Sequence, residues 1–168
     1  AYHAPQIDIF AATDADLVSA FTLNYVEEAV GVVLAAKACA MPVVVSFTVE
    51  TDGRLPTGDS LQAAIERTDD ATGGYPAYYM INCAHPGHFI DVLGGSPGWR
   101  ERIRGVRANA SRLSHAELDA CTALDAGDPQ ELAQQYRGLR ERLPHLVVAG
   151  GCCGTDHRHV AAMCAALR

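Results

Sequence analysis

The sequence predicts an α/β fold in which helices cover both faces of a parallel sheet. Three observations lead to this prediction. Short runs such as Val43–Val49 are rich in β-branched residues and apolar almost throughout, which is typical of strands buried on both sides. Helical patterns separate these runs along the whole chain, and such alternation favours parallel pairing. The chain of 168 residues is long enough for one domain with a substantial core.

The predicted elements are one helix followed by five strand–helix units. The strands are expected at Ala15–Thr22, Val43–Val49, Ala77–Cys83, Ile103–Ala110 and His145–Gly151. The helices are expected at Tyr2–Ala12, Asn24–Ala40, Leu61–Ala71, His88–Leu93, Ser114–Leu124, Pro129–Leu143 and Asp156–Arg168.

Local signals support these elements in order. The first two helices carry apolar residues three or four positions apart, as at Ile7 and Phe10. Pro42 ends the second helix, and Ser60 is the expected N-cap of the third, after the polar loop TDGRLPTGDS. AYYMINC and HLVVAGG are apolar runs of strand length, whereas IRGVRANA is a weaker strand pattern. Pro129 occupies a favourable first helical position.

Two architectures fit this order of elements: an open doubly wound sheet and a (β/α)8 barrel. Five strands suffice for the open sheet, but they are only part of a barrel, which takes about 250 residues. A helix at the start is unusual for both folds. We therefore expect the sequence to begin midway through a longer α/β domain.

Composition excludes several classes of function. The formal net charge is −7 and no basic block occurs, which argues against nucleic acid or an anionic membrane as a partner. No apolar stretch approaches the roughly 20 residues of a membrane span, and no secretory signal pattern is visible. A cytoplasmic location is therefore expected. In that reducing compartment the six cysteines are expected to be thiols or metal ligands rather than disulfides.

Three of the six cysteines follow predicted strands. Cys83 follows YYMIN, and Cys152 and Cys153 follow HLVVAGG. Reactive groups of parallel α/β folds collect at the carboxyl ends of strands, so these thiols are expected to converge. The other three lie inside predicted helices, where a structural role is expected; they are Cys39, Cys121 and Cys164.

Three converging thiolates suit Zn²⁺, and three protein ligands leave a fourth position for a substrate. Adjacent strand residues point to opposite faces, so Cys152 and Cys153 reach one ion only if the backbone turns there. Gly150, Gly151 and Gly154 favour such a turn. A zinc ion with three thiolates is a poor Lewis acid but holds a substrate thiol as a thiolate, which indicates alkyl transfer onto sulfur. Packing at a tight strand end, a redox pair and a nucleophilic cysteine remain alternatives.

The motifs MINCAHP and GGCCGTDHRHV resemble the two zinc-binding motifs of the homocysteine S-methyltransferase family. The stretches YHAPQI, YVEEA, PVVVSFTVETDGRLPTGDSL and RANAS occur in the family's order, so the resemblance covers essentially the whole chain. It implies a (β/α)8 TIM barrel in which residues 1–168 form the C-terminal portion of a single domain, from the third helix through the last five strands. The first three strands would come from a preceding segment or from another chain.

The resemblance also implies a function. Cys83, Cys152 and Cys153 would bind zinc, and the sulfur of homocysteine would take the open position, lose its proton and attack the methyl group of a donor, giving methionine. Within the family the donors are S-adenosylmethionine, S-methylmethionine, betaine and methylcobalamin, and the sequence does not choose among them. A half-barrel with a purely structural zinc site is the non-enzymatic alternative.

One departure from the family concerns the acceptor. Members typically carry a glutamate at the end of the fourth strand, where it holds the amino group of homocysteine. The alignment on YVEEA puts Phe21 there, followed by Thr22. Either another acid serves, with Glu50 at the next strand end as the candidate, or the acceptor is a different thiol.

Other polar residues near the motifs are candidates for substrate contact. Asn82 either hydrogen-bonds across the site or satisfies backbone groups at the strand end, and Asn109, at the end of IRGVRANA, is expected to contact the substrate. Gly150 and Gly151 either permit the turn or present their N–H groups to the substrate carboxylate. The neighbouring histidines are expected not to bind the metal, because those at the start of the last helix should face solvent or cap it; the four are His85, His88, His157 and His159.

Overall fold

The structure is a computed structural model that describes residues 2–95 and 97–168. The strands are β1 (Val18–Leu23), β2 (Val43–Phe47), β3 (Tyr78–Asn82), β4 (Ile103–Ala108) and β5 (Val148–Gly151). The helices are α1 (Ala4–Ala11), α2 (Val26–Ala38), α3 (Leu61–Thr72), α4 (Pro86–Phe89), α5 (Pro97–Glu101), α6 (His115–Ala120), α7 (Pro129–Arg142) and α8 (His157–Ala166). A 3-10 turn at Ile90–Val92 follows α4.

The five strands form one sheet in the order β1-β2-β3-β4-β5, and every neighbouring pair is parallel. The predicted α/β fold with a parallel sheet is therefore confirmed. A doubly wound sheet reverses its strand order at a switch point, whereas here the spatial order follows the chain. This order is consistent with part of a (β/α) barrel.

The core lies between the sheet and its helices. Alternate residues of β2, namely Val43, Val45 and Phe47, are fully buried and belong to the main apolar cluster with residues of α2 and α3. Their neighbours Val44 and Ser46 are equally inaccessible to solvent. Because both faces of β2 are covered, its sequence is apolar almost throughout, as predicted.

Two predicted helix starts are confirmed by their caps. The Ser60 hydroxyl accepts a hydrogen bond from the Ala63 N–H at 3.1 Å at the start of α3. At the start of α7 the Asp128 carboxylate accepts one from the Gln130 N–H at 2.7 Å. Such side chains satisfy N–H groups that the first helical turn leaves without partners, so the boundary is readable from the sequence.

Other boundaries were predicted wrongly. The last strand begins at Val148 rather than His145, because a turn in which the Leu146 N–H donates to the Leu143 carbonyl occupies the preceding residues. The helix expected at Ser114–Leu124 ends at Ala120, so Cys121 lies just beyond it, and Cys39 likewise directly follows α2. The helix expected at His88–Leu93 is instead the end of α4 and the 3-10 turn, and α5 was missed.

Among the described residues, no helix combines the length and the apolar character that crossing a membrane requires.

Candidate metal centre

The three cysteines that follow strands converge at the carboxyl edge of the sheet. Cys83 directly follows β3, and Cys152 and Cys153 directly follow β5. The Sγ atom of Cys83 lies 3.5 Å from that of Cys152 and 3.6 Å from that of Cys153. All three sulfurs lie within 4.8 Å of one another. The convergence predicted from the strand ends is therefore present, and the thiols are free rather than joined in a disulfide.

The backbone bends sharply at Cys83. Its φ of +59° lies in the left-handed region, which residues with a Cβ rarely adopt and which costs about 1–2 kcal/mol. The Cys83 N–H still donates to the Arg107 carbonyl at 3.1 Å, so the chain leaves the sheet only after this residue. The bend places the Cys83 thiol at the end of β3, facing the thiols of Cys152 and Cys153, which follow β5.

A second bend follows β5, as the sequence predicted. The Cys152 carbonyl accepts hydrogen bonds from the Thr155 N–H at 3.2 Å and the Thr155 hydroxyl at 2.7 Å. A Cβ on Gly151 would lie 2.0 Å from the Thr155 Oγ1, so only glycine fits beside this turn. Gly154 has a φ of +78°, which also favours glycine. The turn directs the adjacent thiols of Cys152 and Cys153 to one site.

Asn109 connects the two cysteine segments. Its side chain is buried, its Nδ2 donates to the Cys83 carbonyl at 3.0 Å, and its Oδ1 accepts from the Cys153 N–H at 3.1 Å. Both ends of the amide are thus bonded to backbone groups of metal-ligand candidates. Asn109 therefore shapes the strand ends, and its predicted contact with the substrate stays a prediction.

Asn82 has a comparable role on the other side of the site. Its Oδ1 accepts from the Thr22 N–H at 3.0 Å and from the Ser46 hydroxyl at 2.6 Å, and its Nδ2 donates to the Thr22 Oγ1 at 2.8 Å. Thr22 has a φ of +60° and sits at an irregularity in the pairing of β1 with β2. Asn82 therefore holds an unfavourable backbone conformation of β1, and its side chain bonds to β1 and β2.

Glu50 contacts a histidine that the sequence analysis did not single out. The His115 Nδ1 lies 3.3 Å from the Glu50 carboxylate, and its Nε2 donates to the Cys83 carbonyl at 2.6 Å. Partial burial lowers the pKa of His115, but the two hydrogen bonds outweigh it and raise the pKa overall. Since His115 comes from α6, remote in sequence from both partners, no local pattern could have indicated this contact.

The thiols influence each other's protonation. The hydrogen bond with Cys83 lowers the pKa of Cys152 to about 5, although burial opposes this and Arg107 adds a smaller favourable effect. The same hydrogen bond and burial raise the pKa of Cys83, because a second negative charge would adjoin the first. The site thus favours one thiolate at Cys152 beside a protonated Cys83.

The cysteine geometry fits a zinc ion. Tetrahedral zinc–sulfur bonds of about 2.3 Å place sulfurs about 3.8 Å apart. The separations of 3.5 and 3.6 Å around Cys83 are close to that value. Within the described ranges, the cysteines are the one cluster of three or more side chains suited to hold a metal.

The histidines next to the motifs make other contacts. The His85 Nδ1 accepts from the Gly87 N–H, and the His88 Nε2 bonds to the Arg112 carbonyl. His159 caps α8, as predicted, by accepting from the Asp156 N–H at 3.1 Å. It does so from a fully buried position, where its Nε2 donates to the Ala126 carbonyl at 2.8 Å. His157 is exposed.

A cavity of about 290 Å³ adjoins Cys83 and Cys153. Its wall includes His115 and Asp119 on one side and the apolar Leu118 and Leu124. A small molecule therefore has room to approach the sulfurs from this direction.

A sheet of (β/α)-barrel order with three thiols at its carboxyl edge defines a candidate thiolate metal site on a barrel-type scaffold. Residues 1–167 match the family model described as Homocysteine S-methyltransferase. The chain belongs to this family, as its motifs predicted. A search of curated proteins found no match. Family membership supports a methyltransferase that acts on a thiol.

Proposed function

We propose that this chain carries the zinc site and the acceptor site of an enzyme that methylates homocysteine to methionine. The observation that carries the proposal is the convergence of Cys83, Cys152 and Cys153, with sulfur separations of 3.5 and 3.6 Å. The family's general dependence on zinc supports the choice of metal. The absence of a fourth protein ligand among the described residues suits a site that accepts a substrate thiol.

The three cysteines would hold the ion, and zinc bound in this way supplies a position where an acceptor thiol stays deprotonated at neutral pH. The chain's own residues do the positioning. Asn109 fixes the backbone on both sides of the site, and the cavity beside Cys153 admits small molecules. The acceptor sulfur attacks the donor's methyl carbon, and the donor's bond to that carbon breaks as the new bond forms. No protein nucleophile is required.

We also propose that strands from a preceding segment or a second chain complete the barrel around residues 1–168. In the described chain β1 and β5 are the edges of the sheet, and edge strands present unpaired N–H and C=O groups. Phe21 on β1 is partly exposed, although phenylalanine is normally covered. Further strands at the β1 edge would pair these groups and shield Phe21.

The proposal is tested by zinc stoichiometry on the complete natural protein and on Cys152→Ala. We expect about one zinc per chain in the parent and a loss of zinc in the variant. The control is Cys164→Ala, because Cys164 is exposed on α8 and lies outside the cluster. Zinc-edge X-ray absorption should show one more sulfur ligand after homocysteine is added. A parent protein that holds no zinc when prepared without chelators would contradict the proposal and favour thiol redox chemistry.

A further inference from the structure

Arg107 is held in place at the carboxyl end of β4 by two contacts of its side chain. The guanidinium carbon lies 5.1 Å from the centroid of the Phe21 ring, a cation–π distance. The Nε donates to the Gly151 carbonyl at 3.3 Å. Phe21 belongs to β1, so the two side chains meet above the two strands between them. An exposed arginine without such contacts would sample many rotamers.

The terminal nitrogens of Arg107 have no carboxylate partner in the part of the chain that the structure describes. None of the ion pairs there includes Arg107. Glu50, the acid that follows β2, pairs with His115 instead. Arg107 is exposed, so its planar fork remains available to an anion from outside the protein.

Arg107 also lies beside the three thiols. Its backbone carbonyl accepts from the Cys83 N–H at 3.1 Å, and its side chain contacts the residue that precedes Cys152. Its charge contributes to the lowered pKa of Cys152. Consider a molecule that binds its sulfur at the three thiols and carries an anionic group a few bonds away. It would place that group beside the guanidinium of Arg107.

We propose that Arg107, steadied by Phe21, binds the carboxylate of the acceptor thiol. The acceptor is then a short-chain thiol that carries a carboxylate, and this assignment rests on the proposed thiol methyl transfer. A guanidinium binds a carboxylate through two parallel hydrogen bonds, which fixes the direction of the acceptor chain as well as its charge. Phe21 serves this site by holding Arg107. An acidic side chain at the position of Phe21 would instead pair with Arg107 and neutralise its charge.

The test compares two thiols of equal chain length, 4-mercaptobutyrate and 4-mercaptobutanol, by titration calorimetry on the zinc-loaded complete protein. In Arg107→Gln we expect the carboxylate thiol to bind about 10- to 100-fold more weakly, from the usual strength of charged hydrogen bonds. Binding of the alcohol should change less than about twofold, because it makes no such bond. Arg104→Gln is the matched control, since Arg104 is an exposed arginine near the other end of the same strand.

Two further variants separate a binding role from a structural one. Arg107→Lys keeps the positive charge but loses the planar guanidinium that donates two parallel hydrogen bonds. It should therefore retain part of the preference for the carboxylate thiol. Phe21→Glu should remove the preference by pairing with Arg107 while zinc content stays unchanged. In Arg107→Gln, an equal loss of affinity for both thiols, or no loss for either, would overturn the proposed role of Arg107. The proposed function would stand, because the parent protein would still bind the thiols. Failure of both thiols to bind the zinc-loaded parent would instead overturn the proposed function itself.

Discussion

The Oδ1 atom of Asn109 accepts a hydrogen bond from the backbone N–H of Cys153 at 3.1 Å. Because the same amide donates to the Cys83 carbonyl, one buried side chain sets the distance between two segments that are far apart in sequence. Side chains that orient metal ligands in this way matter nearly as much for metal affinity as the ligands themselves.

Replacement of Asn109 with alanine should therefore weaken metal binding. We expect zinc affinity in Asn109→Ala to fall about 10- to 100-fold, the usual effect of removing a group that orients metal ligands. Competition with a chromophoric chelator measures this change. Thr68→Val is the control for general destabilisation, since Thr68 is buried in α3, remote from the cysteines, and its hydroxyl donates to the Ala64 carbonyl. An equal loss of zinc affinity in both variants would contradict a specific role for Asn109.

Zinc affinity should rise with pH. Cys152, with a pKa of about 5, is already a thiolate near neutral pH, whereas the raised pKa of Cys83 keeps its proton in place. Metal binding must expel that proton, so affinity should increase about tenfold per pH unit for each proton released between about pH 6 and 8. Calorimetry in buffers of different ionisation enthalpy counts the protons. An affinity that is constant over this range would contradict the release of a proton from the cysteine cluster on metal binding.

The two glycines of β5 should differ in their tolerance of a side chain. A Cβ at Gly151 would lie 2.0 Å from the Thr155 Oγ1, whereas one at Gly150 would make ordinary contact with Arg107 at 3.6 Å. We expect Gly151→Ala to lower the free energy of unfolding by about 1–3 kcal/mol through overpacking. Gly150→Ala should change it by less than about 0.5 kcal/mol. Urea denaturation measures the free energy of unfolding of both variants, and their zinc content shows whether the metal site is kept. Equal losses of stability in Gly151→Ala and Gly150→Ala would refute this account of the turn.

The sequence predicted the parts of the fold and site that depend on local pattern. The strand before Cys83 and the glycines around Cys152 are visible as an apolar run and a turn signal, so the meeting of the thiols followed from the rule for parallel sheets. The roles of Asn109 and His115 were not readable, because each depends on which backbone group a folded neighbour presents. The choice between the two predicted roles of His159, facing solvent or capping α8, was not readable for the same reason: its buried position brings a contact with the Ala126 carbonyl, in a loop remote in sequence from α8.

Tyr136 supports the metal centre from the helix side of the sheet. Its buried hydroxyl accepts from the Ala108 N–H at 3.1 Å and donates to the Gly150 carbonyl at 2.6 Å, so it bridges β4 and β5 just before Cys152. Tyr136→Phe removes these hydrogen bonds from buried backbone groups, and we expect the free energy of unfolding to fall by about 1–3 kcal/mol in urea denaturation. Tyr25→Phe is the control, because Tyr25 is 42% exposed and its loss of a hydroxyl should have little effect. Zinc affinity should also fall in Tyr136→Phe, since the end of β5 is less firmly held. Unchanged stability would mean that water or an alternative backbone pairing satisfies the groups that Tyr136 now bridges.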